Sequence, residues 1–313
     1  MNIAVIIPCY NAASWVGHTL ESVLSQQHPP SEVIVVDDGS TDESSAILDQ
    51  FGAAITVIRQ ANSGLGAARN AGAAAATSTW VAFLDADDLH LAGTLQEYRL
   101  LHDCFPEATV LFGDFAVFDD RSVNTAHGIH HLHDLPRHAA ARSGRHLLLK
   151  RPAGILIERN GAFTPSCLVL RRDVWSRVGG FDESRDFQGA EDLDLYFRLL
   201  PTEDVAFTTE IVVHKRQHPG NMSRKVLQMR GAGERALGRA ASLYRRHHRD
   251  LLPIVTAKSA SLLAGWAADD VSHRRPDARA TVTRLLTHRP LSVRAWWLLA
   301  RCLVTTPASQ SRP

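Results

Sequence analysis

The chain has 313 residues, 45% of them hydrophobic and 21% charged, enough to bury one large core or two and balanced as a soluble globular protein is. Its four scattered cysteines, Cys9, Cys104, Cys167 and Cys302, give no disulfide framework and no zinc-type spacing, which points to a reducing, cytoplasmic compartment; no charged leader precedes an apolar run as in a secretory signal, and no run nears the ~20 apolar residues that span a bilayer. The net charge of +1 hides an asymmetry: residues 1–220 hold 17 Lys and Arg against 28 Asp and Glu, whereas residues 221–313 hold 17 against 5, an acidic body followed by a basic tail.

Ile3 to Ile7 reads as a buried strand, stopped by Pro8 and the turn through Asn11. A helix is expected from about Ala13 to Gln27, with Val16, Leu20, Val23 and Leu24 on one side and Pro29-Pro30 ending it. Val33 to Val36 is a second strand that runs straight into Asp37-Asp38-Gly39-Ser40, and Ser40 with Glu43 fits a capping box for the next helix. Ile55 to Ile58 is a third strand, the Ala-rich stretch Gly64 to Thr77 a third helix, and Trp80 to Leu84 a fourth strand.

That fourth strand breaks into Asp85-Ala86-Asp87-Asp88. Two carboxylates about 4 Å apart repel by roughly 4 kcal/mol at an effective dielectric near 20, so such a strand end needs a cation, a proton or open water. Hard divalent ions take oxygen ligands, and Mg²⁺ is usually held by one or two carboxylates plus substrate phosphates. The competing reading is a solvated acidic turn that caps a helix starting near Leu91.

Strand and helix alternate at short intervals, the pattern of a mostly parallel α/β sheet flanked by helices, and in such sheets ligands sit beyond the carboxyl ends of the strands. Pro8 to Asn11, Asp37-Asp38 and Asp85 to Asp88 all fall at those ends, which makes one acidic crevice. Neither a Gly-x-Gly-x-x-Gly turn nor a P-loop follows the first strand, so phosphates here call for a metal and not a glycine cradle. The glycines between Asn62 and Gly72 read as tight packing; Arg69 among them can order the carboxylates or pair with phosphate.

Pro8-Cys9-Tyr10-Asn11, Val35 to Asp42, Asn62 to Gly72 and Phe83 to Asp88 resemble, in order and spacing, the family-2 glycosyltransferases. The similarity continues through Pro165-Ser166, Val178 to Glu183, Glu191-Asp192-Leu193-Asp194-Leu195 with Arg198, and Arg216-Gln217-His218, over roughly residues 1–223. The resemblance implies the GT-A fold and an inverting, metal-dependent transfer of sugar from a nucleotide-diphosphate donor, UDP- or dTDP-linked, to an acceptor hydroxyl. By the same resemblance Asp38 would accept a hydrogen bond from the base, Asp85 would lie near the ribose, Asp87 would hold Mn²⁺ or Mg²⁺, and Pro8, Tyr10 and Asn11 would line the nucleoside pocket. Asp192 would be the general base with Glu191 supporting it, and His218 would sit near metal or diphosphate. Asp88 is divided between a supporting place in the site and a helix cap.

Leu111 to Phe118 suggests a further strand pair, and residues 119–160 form the least regular stretch. Its histidines, His127, His130, His131, His133, His138 and His146, complete no metal-ligand set, and a loop over the acceptor side is the expectation. Ser166 to Leu170 reads as a strand, Arg171 to Val178 as a short helix, and Glu191, Asp192 and Asp194 open another helix, where the dipole favours carboxylates by about 0.3–1 kcal/mol each whether or not they react. The strand from Val205 to Val213 leads into a basic turn, His214 to His218, whose cations can neutralise a departing diphosphate.

After Ser223 the chain becomes rich in Ala, Leu and Arg. Leu237, Ala240, Ala241 and Tyr244 form one helical stripe, and Val293, Trp296, Trp297, Ala300 and Val304 form another. The expected organisation is a catalytic domain over 1–223, with a nucleotide-sugar half to about 118 and an acceptor half after it, then a basic helical region over 224–313. That region would pack on the catalytic domain or on a second subunit in a homo-oligomer; contact with the anionic inner face of a membrane is the alternative. No motif supports nucleic-acid binding. The expected role is synthesis of a cell-surface polysaccharide or lipid-linked glycan, and the rival is a non-catalytic nucleotide-sugar or glycan-binding subunit, against which Asp192 speaks.

Overall fold

The computed structural model describes residues 1–119, 123–124, 135–159, 163–222, 225–288 and 290–304. They divide into two compact units, Met1–Ala240 and Ala241–Pro313. His127, His130, His131 and His133 lie outside the described residues.

The first unit is built on one sheet. β1 (Ile3–Cys9) is buried along its whole length and pairs in parallel with β2 (Glu32–Asp37) and β4 (Trp80–Phe83); β3 (Thr56–Arg59) continues the parallel half beside β2. Unbroken apolar runs in β1, β2 and β4 follow from this, since strands inside a parallel sheet meet helices on both faces. The sheet then turns mixed: β10 (Leu168–Arg171) runs antiparallel between β4 and β6 (Val110–Phe118), and β11 (Val205–Arg216) lies parallel to β6. An antiparallel hairpin of β8 (Ala141–Ser143) and β9 (His146–Leu149) closes that edge. β7 (Val123–Asn124) pairs with β6.

The helices of this unit are α1 (Val16–Leu24), α2 (Ser44–Asp49), α3 (Leu65–Ala75), α4 (Thr94–Cys104), α5 (Ala153–Arg159), α6 (Arg172–Val178) and α7 (Glu191–Leu199), and α8 (Val226–His247) runs from this unit into the next. Of the glycines in the Asn62–Gly72 stretch, Gly66 and Gly72 are there for packing, while Gly64 takes a positive φ of 97° at the entry to α3. A Cβ on Gly72 would come within 2.4 Å of Ile6 Cγ2, and one on Gly66 within 2.3 Å of the Asp182 carbonyl oxygen.

Several local expectations are corrected. No Ser40–Glu43 capping box forms: the Ser40 hydroxyl accepts from the Asn11 amide at 3.1 Å, and α2 begins only at Ser44 with no side-chain cap. α1 starts at Val16 and not Ala13, because the Ala12 and Ala13 amides donate to Ser44 Oγ (2.8 Å) and Asp42 Oδ2 (3.1 Å). The helix after the acidic turn starts at Thr94, with Leu89–His90 (β5) paired to β11 before it. Leu111 to Phe118 lies in one long strand, and the stretch through 160 contains β8, β9 and α5 among its described residues. His146 serves structure there: its Nε2 lies 2.9 Å from buried Glu97, and its Nδ1 lies 3.2 Å from Cys104 Sγ.

The second unit holds the end of α8 and then α9 (Leu252–Ser272), α10 (Ala278–His288) and α11 (Val293–Val304). Leu263, Ala267 and Val271 of α9, Val282 and Leu285 of α10, and Ala295 and Leu298 of α11 form its core. The stripe read from α11 is not the face that packs within this unit: Trp296 and Trp297 are 55% and 56% exposed and Val293 is 83% exposed, while Ala295 and Leu298 carry the packing.

Candidate active site

β5 explains how distant parts of the chain meet. Leu89 and His90 pair with His214 and Val213 of β11, so the Asp85–Asp88 turn lies against the end of that strand. β11 has irregular register with β6 between Thr208 and Val213, which re-aims its second half. As a result Asp88, buried, accepts from the Arg216 amide at 2.9 Å through Oδ1 and from the Ser166 hydroxyl at 2.6 Å through Oδ2. Burial, and then the charge of Asp87, push its carboxyl up to about 8. Both oxygens are occupied by groups that tie three segments together, so Asp88 acts as a brace and not as a helix cap.

Arg69 is the organising cation. It is 1% exposed, and its Nη2 and Nη1 donate to Asp85 Oδ1 at 2.6 Å and Glu191 Oε1 at 2.7 Å. Phe181 lies under its guanidinium at 5.2 Å. One buried side chain from α3 thus joins the end of β4 to the start of α7. Burial works against the charge of Asp85, but Arg69 and Lys215 outweigh it and hold the carboxyl below its usual range. Glu191 spends its second oxygen on the Gly189 amide at 2.7 Å, which fixes the turn into α7.

Asp87, like Asp85, is part-exposed, whereas Asp88 is buried. The Oδ2 of Asp87 lies 2.9 Å from His218 Nε2 and 3.3 Å from Asn221 Nδ2. Burial and the neighbouring Asp85 raise its carboxyl, partly offset by His218. Asp85, Asp87 and Asp88 each offer an oxygen within 4.8 Å of the others, the one group with metal-ligand spacing among the described residues. Arg69 engages one oxygen of Asp85 and one donor sits on each oxygen of Asp88, so all three carboxylates of the turn keep acceptor positions with which they could hold an ion. A carboxylate, an imidazole and open positions for phosphate oxygens and water suit Mg²⁺ or Mn²⁺.

Asp192, half-buried, stands one residue past Glu191 in the first turn of α7. Its Oδ1 accepts from the Leu193 amide at 2.7 Å. Burial, then the charge of Glu191, push its carboxyl up to about 7. A carboxylate poised there is half ready to receive a proton near neutrality. Asp194 differs: buried, it pairs with Arg198 at 2.8 Å and Arg239 at 3.2 Å and belongs to the scaffold.

Arg69 brings the two acidic stretches together, and the pairing of Leu89 with His214 sets half-buried Lys215 near the acidic turn. Burial alone would lower its ammonium, yet it is raised above ordinary lysine by Asp88, Asp85, Asp192 and Asp87 together. Its Nζ also donates to Thr164 Oγ1 at 3.1 Å. The sequence placed Lys215 only within a basic turn, and Ser166 only within a shared motif. Their positions follow from pairing between segments more than 75 residues apart, as the Ser166–Asp88 bond illustrates. Beside them Arg216 is sandwiched between Trp15 (4.5 Å) and Phe118 (4.4 Å) and donates through Nε to the Asp87 carbonyl at 3.1 Å.

The expected nucleoside residues lie on the other side of Asp85. Asp38 sits two strands away across β1, about 10 Å at 4.7–4.9 Å per strand. Its buried carboxylate accepts from Gln60 Nε2, the Ser63 amide and the Gly64 amide, all at 2.8 Å, so it shapes the loop entering α3. Asn11 (φ 50°) accepts the Thr41 amide at 2.8 Å and locks the ends of β1 and β2 together. Pro8 is buried inside β1, while Tyr10 is 51% exposed at its end, an aromatic face beside the gap between Asp38 and Asp85.

The sequence model described as glycosyl transferase family 2 matches residues 4–176. Among curated proteins, an uncharacterized glycosyltransferase of Rickettsia typhi is 25% identical over 226 residues, 72% of this chain and 67% of the relative. One of Nostoc is 48% identical over 100 residues, 31% of each. Among solved structures, S. aureus TarS residues 1–349 in complex with UDP-GlcNAc superposes with a TM-score of 0.67 at 17% identity, covering 97% of this chain and 88% of that one. That likeness is one of fold: a central sheet flanked by helices, with a helical region after it.

Proposed function

The chain belongs to glycosyl transferase family 2 and is a glycosyltransferase, and from that premise we propose that it moves a sugar from a nucleotide-diphosphate donor to an acceptor hydroxyl with inversion at the transferred carbon. The observation that carries this reading is that buried Arg69 joins Asp85, at the end of β4, to Glu191, the neighbour of Asp192 at the start of α7, so two distant acidic stretches of chain meet. The nucleoside would lie across the end of β1, between Asp38 and Asp85 with Tyr10 beside it. A UDP-type or dTDP-type donor is favoured, in keeping with the UDP-GlcNAc held by the TarS structure. The acceptor would be a hydroxyl of a cell-surface glycan or a lipid-linked saccharide.

In the transfer step Asp192 Oδ2 takes the proton of the acceptor hydroxyl as its oxygen bonds to the anomeric carbon. The bond from that carbon to the diphosphate oxygen breaks on the opposite face, and the diphosphate leaves with the electron pair. Lys215 stands where it can face that growing negative charge, and Arg69 holds Asp85 and Glu191 in place without touching the reacting atoms. Asp87 and His218 would hold a divalent ion, which when bound supplies positive charge to the diphosphate. Ordered donors and charges that need no rearrangement are what stabilise such a transition state.

Replacing Asp87 by Ala tests the ion assignment. Calorimetric titration with UDP should give tighter binding in the presence of Mn²⁺ for the native protein and no Mn²⁺ effect for the variant. Equal Mn²⁺ enhancement in both would remove Asp87 from the metal site.

A further inference from the structure

No helix of the described residues is long and apolar enough to cross a membrane, yet α11 carries an apolar face that its own unit does not cover. Val293, Trp296, Trp297 and Ala300 recur at helical spacing on the exposed side, and Leu291, 92% exposed, extends the strip just ahead of the helix. The opposite side, Ala295 and Leu298, is buried in the core with α9 and α10. We propose that this strip docks the protein on an anionic lipid bilayer, lying in the headgroup layer parallel to the surface.

Three features favour a bilayer over another occupant. Arg294 and Arg301 are exposed alongside the strip, and residues 241–313 hold 12 Lys and Arg against 4 Asp and Glu. That charge complements anionic headgroups, whereas a second copy of the same face would bring like charges together. Trp296 Nε1 already donates to the Pro290 carbonyl at 2.8 Å, so its ring can enter the interface without stranding a donor. The Arg301 guanidinium lies 4.9 Å over the Trp297 ring, which sets a cation against an aromatic plate at the depth where phosphates and acyl chains meet. This inference is independent of the donor and acceptor assigned above.

The test is sedimentation of the full chain with vesicles of pure phosphatidylcholine and of phosphatidylcholine mixed with phosphatidylglycerol. Binding is expected to the mixed vesicles alone and to weaken as salt rises. Trp296→Ser with Trp297→Ser should lower it by about tenfold or more. Because both rings are exposed, the double variant should keep its circular dichroism and melting curve. In the native protein, lipids brominated on the acyl chain should quench tryptophan emission, and the double variant should lose that quenching. Absence of binding to the mixed vesicles, equal binding by the variant, or self-association that the double variant abolishes without any vesicle binding would each overturn the proposal, the last by assigning the strip to a second copy.

Discussion

Asp192→Asn should lower the turnover number by about 10²- to 10⁴-fold, the span a positioned general base contributes, while leaving affinity for the nucleotide donor almost unchanged. Asparagine has nearly the same shape and can still accept the Leu193 amide through its carbonyl oxygen, but it cannot take a proton. The groups proposed for the donor stand elsewhere: Asp85 at the end of β4, Asp38 at the end of β2, Tyr10 at the end of β1. The variant therefore separates proton removal from binding. Steady-state kinetics together with a donor titration make the comparison. Loss of donor affinity equal to the loss of turnover would mean that Asp192 holds the donor and is not the base.

Arg69→Met should cost the protein about 3–5 kcal/mol of stability, enough to lower the melting temperature by roughly 10 °C. The side chain is buried and holds two carboxylates, Asp85 at 2.6 Å and Glu191 at 2.7 Å. Methionine fills similar volume, so the penalty comes from leaving those charges uncompensated in a low-dielectric interior. Arg69→Lys should fall between, because one ammonium cannot span both partners as the forked guanidinium does. Thermal unfolding of the three proteins reads the difference. A melting temperature for Arg69→Met within 2 °C of native would show that the ion triad bears none of the fold's stability.

The parallel half of the sheet was legible because its strands are short apolar runs, two of which, β2 and β4, end in acid. Asp85, Asp87 and Asp192 stood out for the same reason: charge is costly at the edge of a core unless something answers it. What answered it was not legible. Lys215 and Ser166 meet the acidic turn only because β5 pairs with β11 and β10 inserts beside β4, and neither pairing leaves a local trace in the sequence. Ser40 departs from its sequence pattern because a serine three residues before a glutamate fits a cap equally well when its hydroxyl serves a neighbouring loop, as it does in accepting from the Asn11 amide. In α11 the spacing of Trp296 and Trp297 revealed a shared face but could not tell which of two apolar faces the core would claim.

The pH dependence of kcat/KM is the most direct test of the account. Asp192 must be deprotonated to act, and burial with the charge of Glu191 pushes its carboxyl up to about 7. The rate constant should therefore rise about tenfold per pH unit below 7 and level off above it, and the residual activity of Asp192→Asn should lack that limb. A profile flat from pH 5 to 8, or the same limb surviving in Asp192→Asn, would contradict a mechanism in which this carboxylate receives the acceptor's proton.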